Sequence, residues 1–294
     1  MSAALAYHIP VLLKEVSEAL VIDPEGVYVD ATFGGGGHAR EILNRLGTNG
    51  RLIGIDCDPE APLHEIEDYR FLGIREDFRR LAQLLESLKI QELSGILADL
   101  GVSSHQLDTP TRGFSYRFEA PLDLRMDQRA GKPACEWLEN ISEESLAYIL
   151  KSYGDLPYSR RLASQIRKSW HPGFTTYDLV ACARKIYGHS AEKFLSPLFQ
   201  ALRMAINKER EALIALLKAA TQVLRPGGRL VILTYHSGEA RLVKSLFQNP
   251  VYEDPLTGRR YYAWKLLNRV FPSHQEIQEN PRCRSAILWV CEKL

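Results

Sequence analysis

Apolar positions recur along the chain with two periods, and their alternation predicts a sheet interleaved with helices. Short β-branched or apolar runs of strand length stand at Val27 to Ala31, Arg51 to Asp56, Phe71 to Arg75 and Ser94 to Leu100. Between and before them the spacing turns helical. Leu12, Leu13, Val16, Ala19 and Leu20 make one stripe over 11–20, with Pro10 at its start and Asp23-Pro24 and Gly26 as its stop. Residues 39–46 read as a helix closed by Gly47, and Phe78, Leu81, Leu84, Leu85 and Leu88 mark another over 78–89. Strands and helices alternating in this way predict a parallel sheet in an open α/β fold. Its crossovers are right-handed, and a ligand binds at the carboxyl ends of the strands.

After Asp99 the rhythm breaks. The fifth strand, Arg229 to Tyr235, is entered through Arg225-Pro-Gly-Gly228, and the gap before it is far longer than one crossover helix requires. The end of that gap, about 202–224, reads as one long helix with Leu202, Ile206, Leu213, Leu217, Ala220 and Leu224 on one face. The remainder, 105–200, reads as an inserted helical unit. Ser142 with Glu143 and Glu144 caps a helix that ends at Gly154; Tyr158 to Trp170 is a second; Thr176 to Tyr187, closed by Gly188, is a third. Beyond the fifth strand, Glu239 to Phe247 is helical, and Arg259 to Val270 and Ser285 to Cys291 read as two late strands. Two such strands after a five-strand parallel run predict an antiparallel pair closing the sheet.

Three of the predicted strands end in an acid: Asp30, Asp56 and Asp99. The first leads into four glycines, Gly34 to Gly37, and Asp56 lies 20 residues after Gly36. This strand, glycine turn, helix, strand and acid layout suits an adenosine-containing cofactor, because glycine admits close backbone approach and the second acid can accept from ribose hydroxyls. A tight turn without ligand and a dinucleotide site are the competing readings. A dinucleotide site would place its first glycine directly after the strand and set pyrophosphate on the helix N-terminus. Here Asp30 ends the strand and Phe33 intervenes. A carboxylate there repels pyrophosphate and suits S-adenosylmethionine, which carries an ammonium and a sulfonium. For His38 the spacing does not choose between a ligand contact and a helix-start histidine filling a polar gap.

The bulk numbers set bounds. A chain of 294 residues holds one large domain with an insertion, or two domains, and 45% apolar with 25% charged residues is ordinary for a soluble protein. No run approaches the roughly 18 apolar residues of a membrane span, and the N-terminus does not read as a secretory signal. Five scattered cysteines (57, 135, 182, 283, 291) without a Cys-x-x-Cys pair fit free thiols in a cytoplasmic protein and no structural metal. A net charge of +1 argues against strong sequence-independent binding of nucleic acid.

Several blocks together closely resemble the RsmH (MraW) family of S-adenosylmethionine-dependent methyltransferases, which modify cytosine N4 in small-subunit ribosomal RNA near the decoding centre. They are His8-Ile-Pro-Val-Leu-Leu13, Asp30-Ala-Thr-Phe-Gly-Gly-Gly-Gly-His38, Asp99-Leu-Gly-Val-Ser-Ser104 with Gln106-Leu-Asp108, and Arg112-Gly-Phe-Ser115. Pro121-Leu-Asp-Leu-Arg-Met-Asp127, Tyr235-His-Ser237 and Asn280-Pro-Arg-Cys-Arg-Ser-Ala286 follow in family order, nearly spanning the chain. The resemblance implies a class I, Rossmann-like methyltransferase sheet with an inserted helical domain: 1–104 with 201–294 as the discontinuous methyltransferase domain, and 105–200 as the substrate-recognition insertion. It implies cofactor contacts at Gly36, Gly37, His38, Asp56, Phe78, Asp99 and Gln106, to which the charge argument adds Asp30. Phe78 reads equally as an adenine wall and as the first core residue of its helix.

For the reaction, Asp99 is the expected acceptor that orients cofactor and target amine, with Ser103 and Ser104 shaping the pocket. His236, at the end of strand five, is a candidate for RNA contact or proton transfer, and equally for packing. Phe114, Tyr116 and Phe118 interleave with Arg112 and Arg117, a pattern suited to bases and phosphates or to anchoring a loop. Arg125, Arg282 and Arg284 in the family blocks complete the expected substrate set, while Arg160, Arg161, Arg167 and Lys168 read as a solvated face or an RNA contact. The expected partner is the small ribosomal subunit or its RNA, with no membrane and no metal; a homodimer stays open.

Three segments depart from the family pattern. Gly238-Glu-Ala-Arg241 stands where Leu-Glu-Asp-Arg is expected, Lys193-Phe-Leu-Ser-Pro197 replaces His-Pro-Ala-Thr-Arg, and 247–280 lacks a cysteine-containing loop. These keep open a methyltransferase directed at another RNA, DNA or protein, and a non-catalytic assembly factor.

Overall fold

A computed structural model describes residues 10–255 and 257–294; His8 and Ile9 of the first family block lie outside them. The chain divides into two compact units, Met1–Gly101 with Glu211–Leu294, and Val102–Arg210.

The first unit is built on a seven-stranded sheet. Its strands are β1 (Val27–Asp30), β2 (Arg51–Asp56), β3 (Phe71–Arg75), β4 (Leu93–Asp99), β5 (Leu224–Thr234), β8 (Trp264–Val270) and β9 (Ile287–Lys293), in the order β3-β2-β1-β4-β5-β9-β8. Strands β1 to β5 pair in parallel, and β9 runs antiparallel to both β5 and β8. This is the predicted Rossmann-like architecture, with the late strands closing the sheet antiparallel. A two-stranded hairpin, β6 (Tyr252–Glu253) with β7 (Arg260–Tyr261), stands apart from the sheet. Strand β5 starts five residues earlier than the apolar pattern indicates, because Arg225-Pro-Gly-Gly228 joins it as a bulge. Leu224 pairs with Leu93 and Arg229 with Gly95, so five positions of β5 span two of β4.

Alternation along the strands gives the sheet two apolar faces. Val29, Ile53, Ile55, Ile96 and Ile232 pack with helices α3 (Leu81–Ser87) and α10 (Glu209–Val223). Tyr28, Leu52, Leu97, Val231 and Leu233 pack on the other side with α1 (Leu13–Leu20) and α2 (Gly37–Arg45). Helix α11 (Ser237–Gln248) follows β5, and α12 (His274–Glu279) precedes β9. Glu276 on α12 accepts the Leu12 backbone N–H at 2.7 Å, tying the late segment to the start of α1.

The second unit is helical: α4 (Ser104–Asp108), α5 (Ala134–Asn140), α6 (Glu143–Gly154), α7 (Ser159–Ser169), α8 (Thr176–Tyr187) and α9 (Glu192–Asn207). Its core joins Leu122, Leu138, Leu146, Leu150, Ile166, Phe174, Leu198 and Leu202. The Ser142 cap predicted from sequence forms, accepting from Ser145 N, and a reciprocal box of Thr175 with Asp178, which the sequence reading did not name, starts α8. The single helix expected over 202–224 is instead two, because Lys208 adopts a left-handed backbone (φ 52°) between α9 and α10. The break takes one residue, so the apolar stripe continues across it and hides it. Side chains brace it: Arg203 donates to Glu209 at 2.7 and 2.9 Å, and Asn207 bonds Met126 N and Leu124 O, each at 2.7 Å.

Candidate active site

Strand register brings the three acids together. Asp30 pairs with Gly54 on β2 and with Leu97 on β4. Asp56 and Asp99 therefore stand two residues further along their strands and, by the period of two, on the same face as Asp30. The glycine loop rises from a notch between two taller strands that both end in a carboxylate. Gly34 and Gly36 take φ of 55° and 75°, backbone that favours glycine. A Cβ on Gly54 would come within 2.8 Å of the Phe33 and Phe71 rings, so glycine there lets Phe33 pass beneath the loop.

The acids are held differently. Asp56 accepts from Gly34 N at 2.7 Å and Asp58 N at 2.8 Å, fixing the loop to β2. Asp99 accepts from the Tyr235 phenol at 2.7 Å, its backbone N–H donates to the Thr32 hydroxyl at 2.6 Å, and its Oδ2 lies 3.8 Å from His38 Nδ1. Asp30 is 1% exposed; its Oδ1 accepts from Thr32 N at 3.2 Å, and its Oδ2 has no hydrogen-bond donor among the described residues. Burial, with Asp99 and Asp56 adding repulsion, pushes the Asp30 carboxyl up to about 7. Burial likewise raises Asp56, against the backbone bonds that lower it.

A buried carboxylate with one oxygen unserved, facing two more acids, fits a cationic ligand and excludes a phosphate. S-adenosylmethionine meets that condition: its ammonium and sulfonium answer the acids, and its ribose can donate to Asp56. Gly36, Gly37 and His38 line the same loop. His38 is buried at the start of α2, and its Nε2 lies 3.0 Å from the Val11 carbonyl; that contact requires the Nε2–H tautomer and leaves Nδ1 on the Asp99 side. Phe78 is half-buried, opening the turn after β3 and packing against the core that contains Ile55, Leu81 and Leu85.

His236 caps α11. Its Nδ1 accepts from Gly238 N and Glu239 N at 3.1 and 3.4 Å, and its Nε2 faces Glu239 Oε1 at 3.2 Å. Glu239, 6% exposed, returns the bond by accepting from Tyr235 N at 2.8 Å. Nδ1 thereby shapes the turn after β5, while the buried Nε2 makes no hydrogen bond among the described residues. The departing residue Gly238 serves this cap: a Cβ there would lie 3.0 Å from the imidazole.

The other expected residues belong to the helical unit or to the segment before β9. Ser103 and Gln106 form a capping box on α4, with Gln106 N donating to Ser103 Oγ at 3.1 Å and Ser103 N to Gln106 Oε1 at 3.0 Å; Ser104 is the first residue of that helix. Arg112 is 1% exposed and donates to the Arg125 and Met126 carbonyls at 3.0 and 2.9 Å, so its charge supports a loop and does not reach solvent. Phe114 is core. Arg125 makes a two-pronged pair with Asp123 at 2.6 and 3.0 Å. Arg117, Arg282 and Arg284 are exposed. Pro197 lies within α9, and its carbonyl sits where a Cβ on Gly154 would be 2.7 Å away. Tyr235, Thr32 and Glu239 are the site residues that sequence reasoning missed. A histidine followed three residues later by an acid was the available signal for the cap; nothing local pointed to Tyr235.

The sequence pattern of the MraW methylase family matches residues 5–294. The chain belongs to that family. The small-subunit ribosomal RNA methyltransferase H of Bacteroides fragilis is 46% identical over 296 residues, covering 98% of this chain and 97% of that protein. The proteins of the same name from Porphyromonas gingivalis and Nitrosomonas europaea are 43% and 40% identical over equally complete spans. The chain is thus a methylase of this family throughout its length, glycine loop and helical unit included.

Proposed function

We propose that the protein transfers a methyl group from S-adenosylmethionine to the exocyclic N4 of a cytosine in small-subunit ribosomal RNA, near the decoding centre. The observation that carries this reading is the fixed Asp99 carboxylate at the acid-lined end of the sheet, in a chain that matches small-subunit methyltransferases from end to end. When bound, the cofactor supplies an electrophilic methyl on a cationic sulfur. Asp30 balances its positive charge, Asp56 receives its ribose, and the glycine loop admits its backbone contacts. Cytosine N4 is a poor nucleophile because its lone pair is delocalised into the ring. Asp99, accepting from an N4 proton, favours the pyramidal nitrogen of the transition state and orients it for in-line attack. The N4–C bond would form as the S–C bond breaks, with S-adenosylhomocysteine as the leaving group, and the N4 proton would pass to solvent water. Ser103 and Ser104 are proposed substrate-side residues of the helical unit, and His236 positions the turn that carries Tyr235.

The helical unit is the proposed substrate-recognition domain, with Arg117, Arg282 and Arg284 as contacts to RNA phosphates. Near-zero net charge suits a substrate read by shape in a folded particle rather than naked RNA. A ribosomal substrate places the protein in the cytoplasm. Incubation with labelled S-adenosylmethionine and small subunits, naked ribosomal RNA or DNA, followed by digestion to nucleosides, tests the reading. Label in N4-methylcytosine from small subunits is expected. Label in any other nucleoside, or only in DNA, sinks it.

A further inference from the structure

Tyr235 is the first residue beyond β5, two positions past Leu233, which pairs with Asp99. Its side chain consequently lies on the same sheet face as Asp99, and its phenol reaches Oδ1 at 2.7 Å. The bond is one side of a frame. Thr32 takes the Asp99 backbone N–H, His38 flanks Oδ2, and Glu239 holds the Tyr235 backbone from α11. Burial, the Asp99 charge and the bond to it, with Glu239 and Cys283 adding to them, push the Tyr235 phenol well above its ordinary range, so it stays a neutral donor.

We propose that Tyr235 is a positioning residue for methyl transfer, holding the Asp99 carboxylate in the one orientation that receives the target amine. The proposal rests on the methyl-transfer reading above. A carboxylate turns about its side-chain bonds, and rotation would move Oδ1 away from the phenol and Oδ2 away from His38, and would lose the acceptor direction offered to N4. Charged-acceptor hydrogen bonds are strong enough to prevent that. The same bond favours the ionised carboxylate, the form that can accept from N4. The charged and titratable groups that face Asp99 are Asp30 on β1, His38 on α2 and Tyr235 after β5, with the Thr32 hydroxyl beside its backbone.

The test is the pH dependence of kcat for transfer to small subunits, in wild type, in Tyr235→Phe, and with 3-fluorotyrosine at 235. Phenylalanine keeps the ring and removes the donor; the fluorinated phenol is a stronger donor of nearly the same shape. The expected result is a kcat about 10 to 100 times lower in Tyr235→Phe through lost positioning, together with an acid limb displaced to higher pH. The fluorinated protein moves that limb down. Affinity for S-adenosylhomocysteine changes less than about threefold in either. An acid limb that stays in place in both variants overturns the proposal, whatever happens to kcat, since a purely structural tyrosine lowers activity equally at every pH. A wild type that transfers no methyl to small subunits fails the functional reading and takes this proposal with it. Wild-type transfer with an unmoved limb fails this proposal alone.

Discussion

The two units spend their charges in opposite ways. At the carboxyl end of the sheet, three acids share one face, and the most buried of them, Asp30, has no donor on one oxygen among the described residues. In the helical unit several arginines already have partners. Arg112 serves two carbonyls, although its buried Nε makes no hydrogen bond among the described residues, Arg125 grips Asp123, Arg129 grips Asp127, and Arg203 grips Glu209. Unsatisfied charge marks where a ligand of opposite sign belongs, whereas satisfied charge builds scaffold. The difference teaches that arginine in a motif is no guide to substrate contact until its partners are known.

The contrast can be broken at several points. The largest effect is expected from Asp99→Ala, which should lower single-turnover methyl transfer by about 100-fold or more while leaving the melting temperature within a few degrees. Full transfer would remove Asp99 from the reaction. Arg112→Ala should act on the fold instead. Two buried carbonyls lose their donor, and urea unfolding should show about 3 kcal/mol of lost stability. Unchanged stability with abolished transfer would turn Arg112 back into a substrate contact and break the comparison.

Asp30→Asn sharpens it with pH. The folded carboxyl is raised from 3.8 to about 7, so its contribution to stability is fully present below pH 4 and is lost as pH rises through 7. The cofactor-free variant should therefore exceed wild type by about 4 kcal/mol at pH 8, with the gap closing toward pH 4, and should bind S-adenosylmethionine at least about tenfold more weakly. Thermal melts across that range and calorimetry of cofactor binding read both. A pH-independent difference, or unchanged affinity, would show that Asp30 does not wait for a cation.

Two smaller effects complete the set. His236→Ala removes the α11 cap and should cost about 1 kcal/mol in urea unfolding, with kcat reduced through Tyr235. Stability unchanged to within a few tenths would dismiss the cap. Arg117→Ala, an exposed residue, should leave stability unchanged and raise KM for small subunits about threefold, with a shallower salt dependence. An unchanged KM would leave Arg117 as a solvated side chain.

Local pattern was enough for the alternating strands and helices, the glycine loop with its flanking acids, the antiparallel closure and the Ser142 cap. Each depends on near neighbours: a period of two or 3.6, a glycine where φ is positive, a serine or threonine before an acidic turn. The choice of a cationic methyl donor was also legible, because Asp30 precedes the glycines and a carboxylate repels phosphate. Tertiary structure decided the rest. Strand register, which no local pattern states, put Asp30, Asp56, Asp99 and Tyr235 on one face and left Asp30 recessed between its neighbours. Partners 13 and 14 residues away turned Arg112 from a candidate RNA contact into scaffold, Arg125 pairs with its near neighbour Asp123, and one left-handed residue, Lys208, divided a helix whose apolar stripe reads as continuous. A hydrogen bond across 136 residues, from Tyr235 to Asp99, exists only once both strands lie in the sheet.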